Sequence, residues 1–284
     1  MTRLANKEAV FNVYCYINPC TMYFVICSLL IVLLAWYLLR KPKKAVTIAP
    51  VVIEDIQLNP AYRPLLDAHV DYYHNLDAKA RKRFEAQVNR FLQNTNIEGV
   101  GTEITDLDRV LVASSAIIPI FGLGDWQYNN LTNVILYPDA FDEEYQYEGE
   151  DRSFLGMVGN RHLTGQMLLS RSALIKGFSS ASGKSNVAIH EFVHLLDGAD
   201  GATDGVPEHL VPPEYAQPWL SLMHREMHRI QEGHSDINPY ALTNEAEFFA
   251  VAAEYFFEKP EKFRDKHPEL YEQLSLIFKQ MPVV

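Results

Sequence analysis

Residues 190–194 read His-Glu-Phe-Val-His, set between Val187-Ala-Ile189 and Leu195-Leu196. Four residues on an α-helix amount to about 400° of rotation, so both imidazoles leave one face, one turn apart. The other faces are apolar, so the helix belongs in a core with two histidines turned to a common target. Nitrogens so spaced can share one Zn²⁺, at about 2.0–2.1 Å each. Glu191, next to the first histidine, is placed to reach a water on that metal rather than the metal itself. The chain carries its own control. His224 and His228 are also four apart, but Arg225 stands where the base should be and the neighbours are charged, so that pair reads as a solvated helix face.

A catalytic zinc needs a third protein ligand and an open fourth position. No cysteine occurs after Cys27, which excludes thiolate ligands, a thiol nucleophile and a disulfide framework from the main body. Glu245, Glu247 and Glu254 are the downstream candidates, on an apolar stretch fit for a buried helix. Glu247 lies inside the apolar part, where an unpaired carboxylate is costly and calls for a cation. A capping box with Asn244 competes for the same residue. Beside the His-Glu-x-x-His helix the ligand reading is preferred, which gives His190, His194 and Glu247 around one Zn²⁺ per chain. Glu254, two turns along nearly the same face, either orients the site or pairs with a surface cation. Asp197, three residues past His194, either accepts a hydrogen bond from a ligand imidazole or ends the helix in a polar turn.

Met22 to Leu39 is an 18-residue run broken only by Ser28, close to the length that crosses a bilayer. Arg40, Lys41, Lys43 and Lys44 follow directly, and no small-x-small cleavage site does, which favours an anchor over a signal peptide. The positive-inside rule places the C-terminal side in the cytoplasm. Expected segments are 1–20 as an N-terminal stretch, 21–39 as a transmembrane helix, 40–60 as a basic, proline-bearing linker and 61–284 as the enzyme domain. The net charge is −11, yet residues 1–44 carry +5, leaving −16 on the rest. Such a domain is a poor partner for a nucleic-acid backbone.

Periodicity predicts helices over 77–93, 106–118, 185–197, 214–232, 244–258 and 268–280, with Ser185 as a possible N-cap and Gly198 as a stop. Asn133–Tyr137 and Gly165–Ser170 read as strands, and 177–184 as a loop. The class is α+β, mainly helical with a small sheet.

Several motifs in order extend this reading: His-Glu-Phe-Val-His-Leu-Leu-Asp at 190–197, Gly205-Val-Pro207, Asp236-Ile-Asn-Pro-Tyr240, Ala246-Glu-Phe-Phe-Ala250 and Ala253-Glu-Tyr-Phe-Phe257. Leu123-Gly-Asp-Trp126, Val134-Ile-Leu-Tyr-Pro138 and Gly165-Gln166 precede them. With these, roughly residues 62–282 resemble the Mlc titration factor A family of zinc peptidases, similar in catalytic domain to anthrax lethal factor. The resemblance implies a zincin-like fold and a gluzincin site with His190, His194 and Glu247 as ligands and Glu191 as base. It also implies that Tyr240 stabilises the oxyanion of the tetrahedral intermediate, and that the action is aminopeptidase-like on short peptides. The family takes its name from sequestering a transcriptional repressor, so the alternative is a regulatory binding protein with a protein partner. Two features depart from the pattern: Val251 stands where lethal factor has a second glutamate, and an apolar N-terminal segment is added. The function expected is hydrolysis of a peptide or protein substrate by a zinc-activated water, on a membrane-tethered, cytoplasm-facing domain. Gly165–Ser170 is the strand expected to pair with an extended substrate.

Overall fold

The structure is a computed structural model that describes residues 58–148, 152–158, 164–179, 182–210 and 213–282. The expected transmembrane segment at 21–39 lies outside them. Among the described residues no helix is long and apolar enough to cross a membrane.

Two short helices, α1 (Tyr62–His69) and α2 (Asp71–His74), lead into α3 (Ala78–Asn94). Asp77 caps α3 by accepting the Ala80 N–H at 2.7 Å, and Phe84, Val88 and Phe91 form its buried stripe. After strand β1 (Asn96–Gly99), Thr105 and Asp108 close a capping box at the start of α4 (Asp106–Ile120). α4 is buried from Val110 to Ile120 and forms the spine of the core. The sequence places its end at Ile118, before Pro119. The helix runs two residues further, and the Gln280 side chain donates to the carbonyls of Ile118 and Pro119.

Strands β2 (Leu131–Tyr137), β3 (Gly156–Val158) and β4 (Gly165–Ser170) complete a sheet of order β1-β2-β4-β3. The β1–β2 and β2–β4 pairs are parallel, and β3 joins antiparallel as an edge. Alternation sorts the faces: Val134, Leu136, Met167 and Leu169 join the helical core, while Ile135, Tyr137 and Leu168 meet Phe141 and Phe154 on the other side. β4 therefore lies inside the sheet, flanked by β2 and β3. It cannot take a substrate strand along its length, which corrects the assignment made from sequence.

The remaining elements are α5 (Arg171–Gly177), α6 (Val187–Asp197), α7 (Pro213–Gln231), α8 (Glu245–Glu258), α9 (Pro260–Lys266) and α10 (Pro268–Phe278). α6 starts two residues later than its sequence suggests. Asn186, not Ser185, is the cap, its Oδ1 accepting the Ile189 N–H at 3.2 Å. α6 packs on α8, on α4 and on edge strand β3. That packing puts the His-Glu-x-x-His face between a second helix and a sheet edge.

Candidate active site

α6 presents His190 and His194, and α8 presents Glu247 opposite them. His194 Nε2 lies 3.0 Å from His190 Nε2, and Glu247 Oε2 lies 2.9 Å from His190 Nε2 and 3.4 Å from His194 Nε2. These three residues form the group among the described residues that could hold a metal ion. Bonds of about 2.0–2.1 Å in a tetrahedral site separate ligand atoms by roughly 3.3 Å. The three donors thus already stand at the edges of such a site, and the chemistry of two imidazoles and a carboxylate suits a divalent cation. Burial opposes charge on His190, yet its bonds to Glu247 and Glu254 outweigh it and push the imidazole up to about 10. Burial likewise pushes Glu247 up, but both histidines overcome it and hold the carboxyl down to about 2.

The three glutamates stand in different places. Glu245 is exposed and pairs with His224 at 3.1 Å, away from the donors. Glu254 accepts the His190 Nδ1–H at 2.8 Å and the Asn186 backbone N–H at 2.6 Å, so it fixes which His190 nitrogen faces Glu247. Glu247 is at N3 of α8, and its own N–H reaches Asn244 Oδ1 at 2.9 Å. Half of the rival capping box is therefore present, but the Glu247 carboxylate points to the histidines. Glu254 supplies the support that Val251 lacks. Asp197 does not: its Oδ2 accepts the Gly205 N–H at 2.7 Å, while its Oδ1 and His194 Nδ1 both lack hydrogen-bond partners. Burial pushes Asp197 up to about 7 despite the Gly205 bond. It latches the turn after α6 rather than holding an imidazole.

Glu191 is buried on the same helix, and burial raises its pKa although the two histidines pull it down. Its carboxylate rests against Gly156 of β3: a Cβ there would lie 2.6 Å from Glu191 Oε1. Sequence reasoning missed the place of Gly156 beside the candidate base, since a three-residue strand carries no periodicity and the contact spans 35 positions. Tyr240 sits on a 3₁₀ turn, Pro239–Leu242, capped by Asn238. It is 54% exposed, and its ring centre lies 6.1 Å from that of His190. Burial, then Glu247, Glu191 and Glu254, raise its pKa, so it remains a protonated donor at neutral pH. A cleft of about 540 Å³ opens beside His194 and Glu247, lined by Asn130, Val158, Gly201 and Thr203 among others. His224 and His228 face solvent and pair only with Glu245 and Glu232, as their charged setting implies.

Two packed helices that bring three ligating side chains to one point, with a buried carboxylate between the ligands, mark a domain of the metallopeptidase type. Known proteins narrow that class. The sequence model of the glucose-regulated metallo-peptidase M90 family matches residues 43–279, and the chain belongs to that family. It is 31% identical over 240 residues to the protein slr2042 of Synechocystis sp., covering 80% of this chain and 86% of that one. Mlc titration factor A of Escherichia fergusonii is 30% identical over 245 residues, covering 80% and 89%. The Salmonella agona protein of the same name is 30% identical over 225 residues, covering 73% and 82%.

Proposed function

We propose that the protein is a zinc-dependent peptidase that cleaves short peptides, in the manner of an aminopeptidase, while tethered to a membrane by residues 21–39. The observation that carries the chemistry is the convergence of His190 Nε2, His194 Nε2 and Glu247 Oε2 within 2.9–3.4 Å of one another, with Glu191 buried beside them. His190, His194 and Glu247 would hold one zinc, which when bound would supply a Lewis acid to polarise the scissile carbonyl and acidify water. Glu191, its proton affinity raised by burial, accepts the proton of the attacking water and passes it to the leaving amine. The Tyr240 hydroxyl donates a hydrogen bond to the developing oxyanion. Glu254 keeps His190 in the tautomer that leaves Nε2 free to ligate. An extended substrate pairs with β3, the sheet edge that runs against α6.

The test is metal content and peptide turnover of the full-length chain, before and after chelation, with Glu191→Gln alongside. Turnover should vanish with chelation and return with zinc. Glu191→Gln should keep the metal and lose turnover, and full activity in that variant sinks the scheme. The tether is tested by alkaline extraction of membranes and by protease protection of the C-terminal domain, which should stay accessible from the cytoplasmic side. One observation favours a second reading: relatives at 30% identity bear the name Mlc titration factor A. That name suggests a regulatory protein partner here too. A partner captured by this chain with both Glu191→Gln and the metal-stripped protein would support that reading over the peptidase one.

A further inference from the structure

We propose that Asp236 is a positioning residue: it bonds the loop that carries Tyr240 to the framework of both ligand helices. The inference rests on the role given to Tyr240 above. Tyr240 is largely exposed, so its position depends on the turn that carries it, which buried Ala241 and the Thr243 hydroxyl hold from one side and residues 236–238 from the other. Its N–H reaches Asn238 Oδ1 at 3.1 Å, Ile237 is buried, and Asp236 precedes both. Asp236 Oδ1 accepts from His267 Nε2 at 2.8 Å, at the start of α10. Its Oδ2 accepts from Lys184 Nζ at 2.9 Å and Tyr255 Oη at 3.0 Å, with Lys266 Nζ at 3.1 Å.

Two of these partners adjoin the helices of the site. Tyr255 follows Glu254 on α8, the helix of Glu247. Lys184 stands two residues before Asn186, which caps α6 and gives its N–H to Glu254 Oε2. A single carboxylate therefore refers the Tyr240 loop to the helix of the histidines and to the helix of the glutamate. The other side of the loop is held as well. Buried His267 places Nδ1 3.1 Å from Glu226 Oε1, which also accepts Ser235 Oγ at 2.6 Å. Against the pull of burial, the bonds from Lys184, His267, Lys266 and Tyr255 hold Asp236 far below the usual carboxylate range, so it stays charged as a hub. A misplacement of about 1 Å in a catalytic group costs on the order of 100-fold in rate. A loop released from this hub has that freedom.

The experiment uses the zinc-loaded full-length chain and the variants Asp236→Asn, Tyr255→Phe, Tyr240→Phe and Asp236→Asn with Tyr240→Phe. Asp236→Asn should lower kcat by about 10- to 100-fold with KM and zinc content nearly unchanged. Tyr255→Phe keeps the ring packing and removes one bond, for a loss of about fivefold. In the Tyr240→Phe background Asp236→Asn should lower kcat no further. An equal fractional loss in both backgrounds, or loss of zinc, overturns the proposal and leaves Asp236 a plain structural staple. A readout independent of turnover is amide exchange: residues 237–243 should exchange faster in Asp236→Asn and Tyr255→Phe while α6 is unchanged. Unchanged protection of 237–243 overturns the proposal. If the wild-type chain turns over no peptide, the peptidase reading falls, and the exchange experiment still decides the role of Asp236.

Discussion

Gly156→Ala perturbs the proposed base without touching a metal ligand. A Cβ at 156 would stand 2.6 Å from Glu191 Oε1, 2.7 Å from Cγ and 2.9 Å from Cδ. Ordinary contact begins near 3.4 Å, so carboxylate or strand must retreat by roughly 0.7 Å, a displacement in the range where catalysis falls by tens to a hundredfold. The carboxylate is the more mobile of the two, since β3 is held by its pairing with β4 through Gly156–Leu169, Met157–Leu168 and Val158–Met167. Overpacking of this kind costs about 1–3 kcal/mol of stability, which lowers Tm by several degrees in a domain of this size. The three atoms nearest the new methyl all belong to Glu191, so zinc stoichiometry should hold at one. The assay is kcat and KM on a short peptide, metal content and a thermal melt, for Gly156→Ala with and without Glu191→Gln. Expected is a drop in kcat of about 30- to 100-fold, with Glu191→Gln as the inactive reference and metal content equal in both variants. Wild-type kcat in Gly156→Ala, or loss of zinc, would refute the reasoning that β3 sets the position of the base.

Other outcomes follow from the same geometry. Glu254→Gln loses the charged partner of His190 Nδ1 and should weaken zinc binding by about 10- to 100-fold, read by competition with a chelating dye. Zinc bound by His190 would displace a proton from it. With that imidazole pushed up to about 10, calorimetry at pH 7.5 in buffers of different ionisation enthalpy should report close to one proton released per zinc. The ion-free protein should also respond to pH on both sides. His190, raised, stabilises fully below about pH 6.5 and loses that contribution as pH climbs through about 10. Glu247, lowered, stabilises above about 4.5 and loses it as pH falls toward about 2. Melts of chelated protein should show that window, and Glu247→Gln should flatten its acid side. Asn244→Ala removes the cap that receives the Glu247 N–H, for a loss of about 1 kcal/mol and a weaker metal site.

Much of this was legible before any coordinates. The amphipathic stripe of α3, the apolar body of α4 and the apolar run of α8 are local repeats, and local repeats write themselves into sequence. The His190–His194 face needs only helical geometry, and the isolation of His224 and His228 on a charged surface needs only their neighbours. Offsets of one or two residues remained. Asn186 caps α6 instead of Ser185, because two adjacent polar residues offer the same cap and packing chooses between them. α1, α2, β1, β3, α5 and α9 lie outside the elements that periodicity predicts, since three to eight residues are too few to show a period.

The sequence by itself determined, through helical spacing, that His190 and His194 lie on one face, one turn apart, with Glu191 next to the first, because that spacing is covalent. It left three glutamates eligible as third ligand, and only packing of α8 on α6 separates them: Glu247 at the donors, Glu254 behind His190, Glu245 in solvent. It left the substrate-facing strand at β4, and only strand order moves the edge to β3. The contact of Gly156 with Glu191 and the convergence on Asp236 join residues from 19 to 52 positions apart on different elements. Such meetings depend on how elements stack, and no local pattern of residues encodes them.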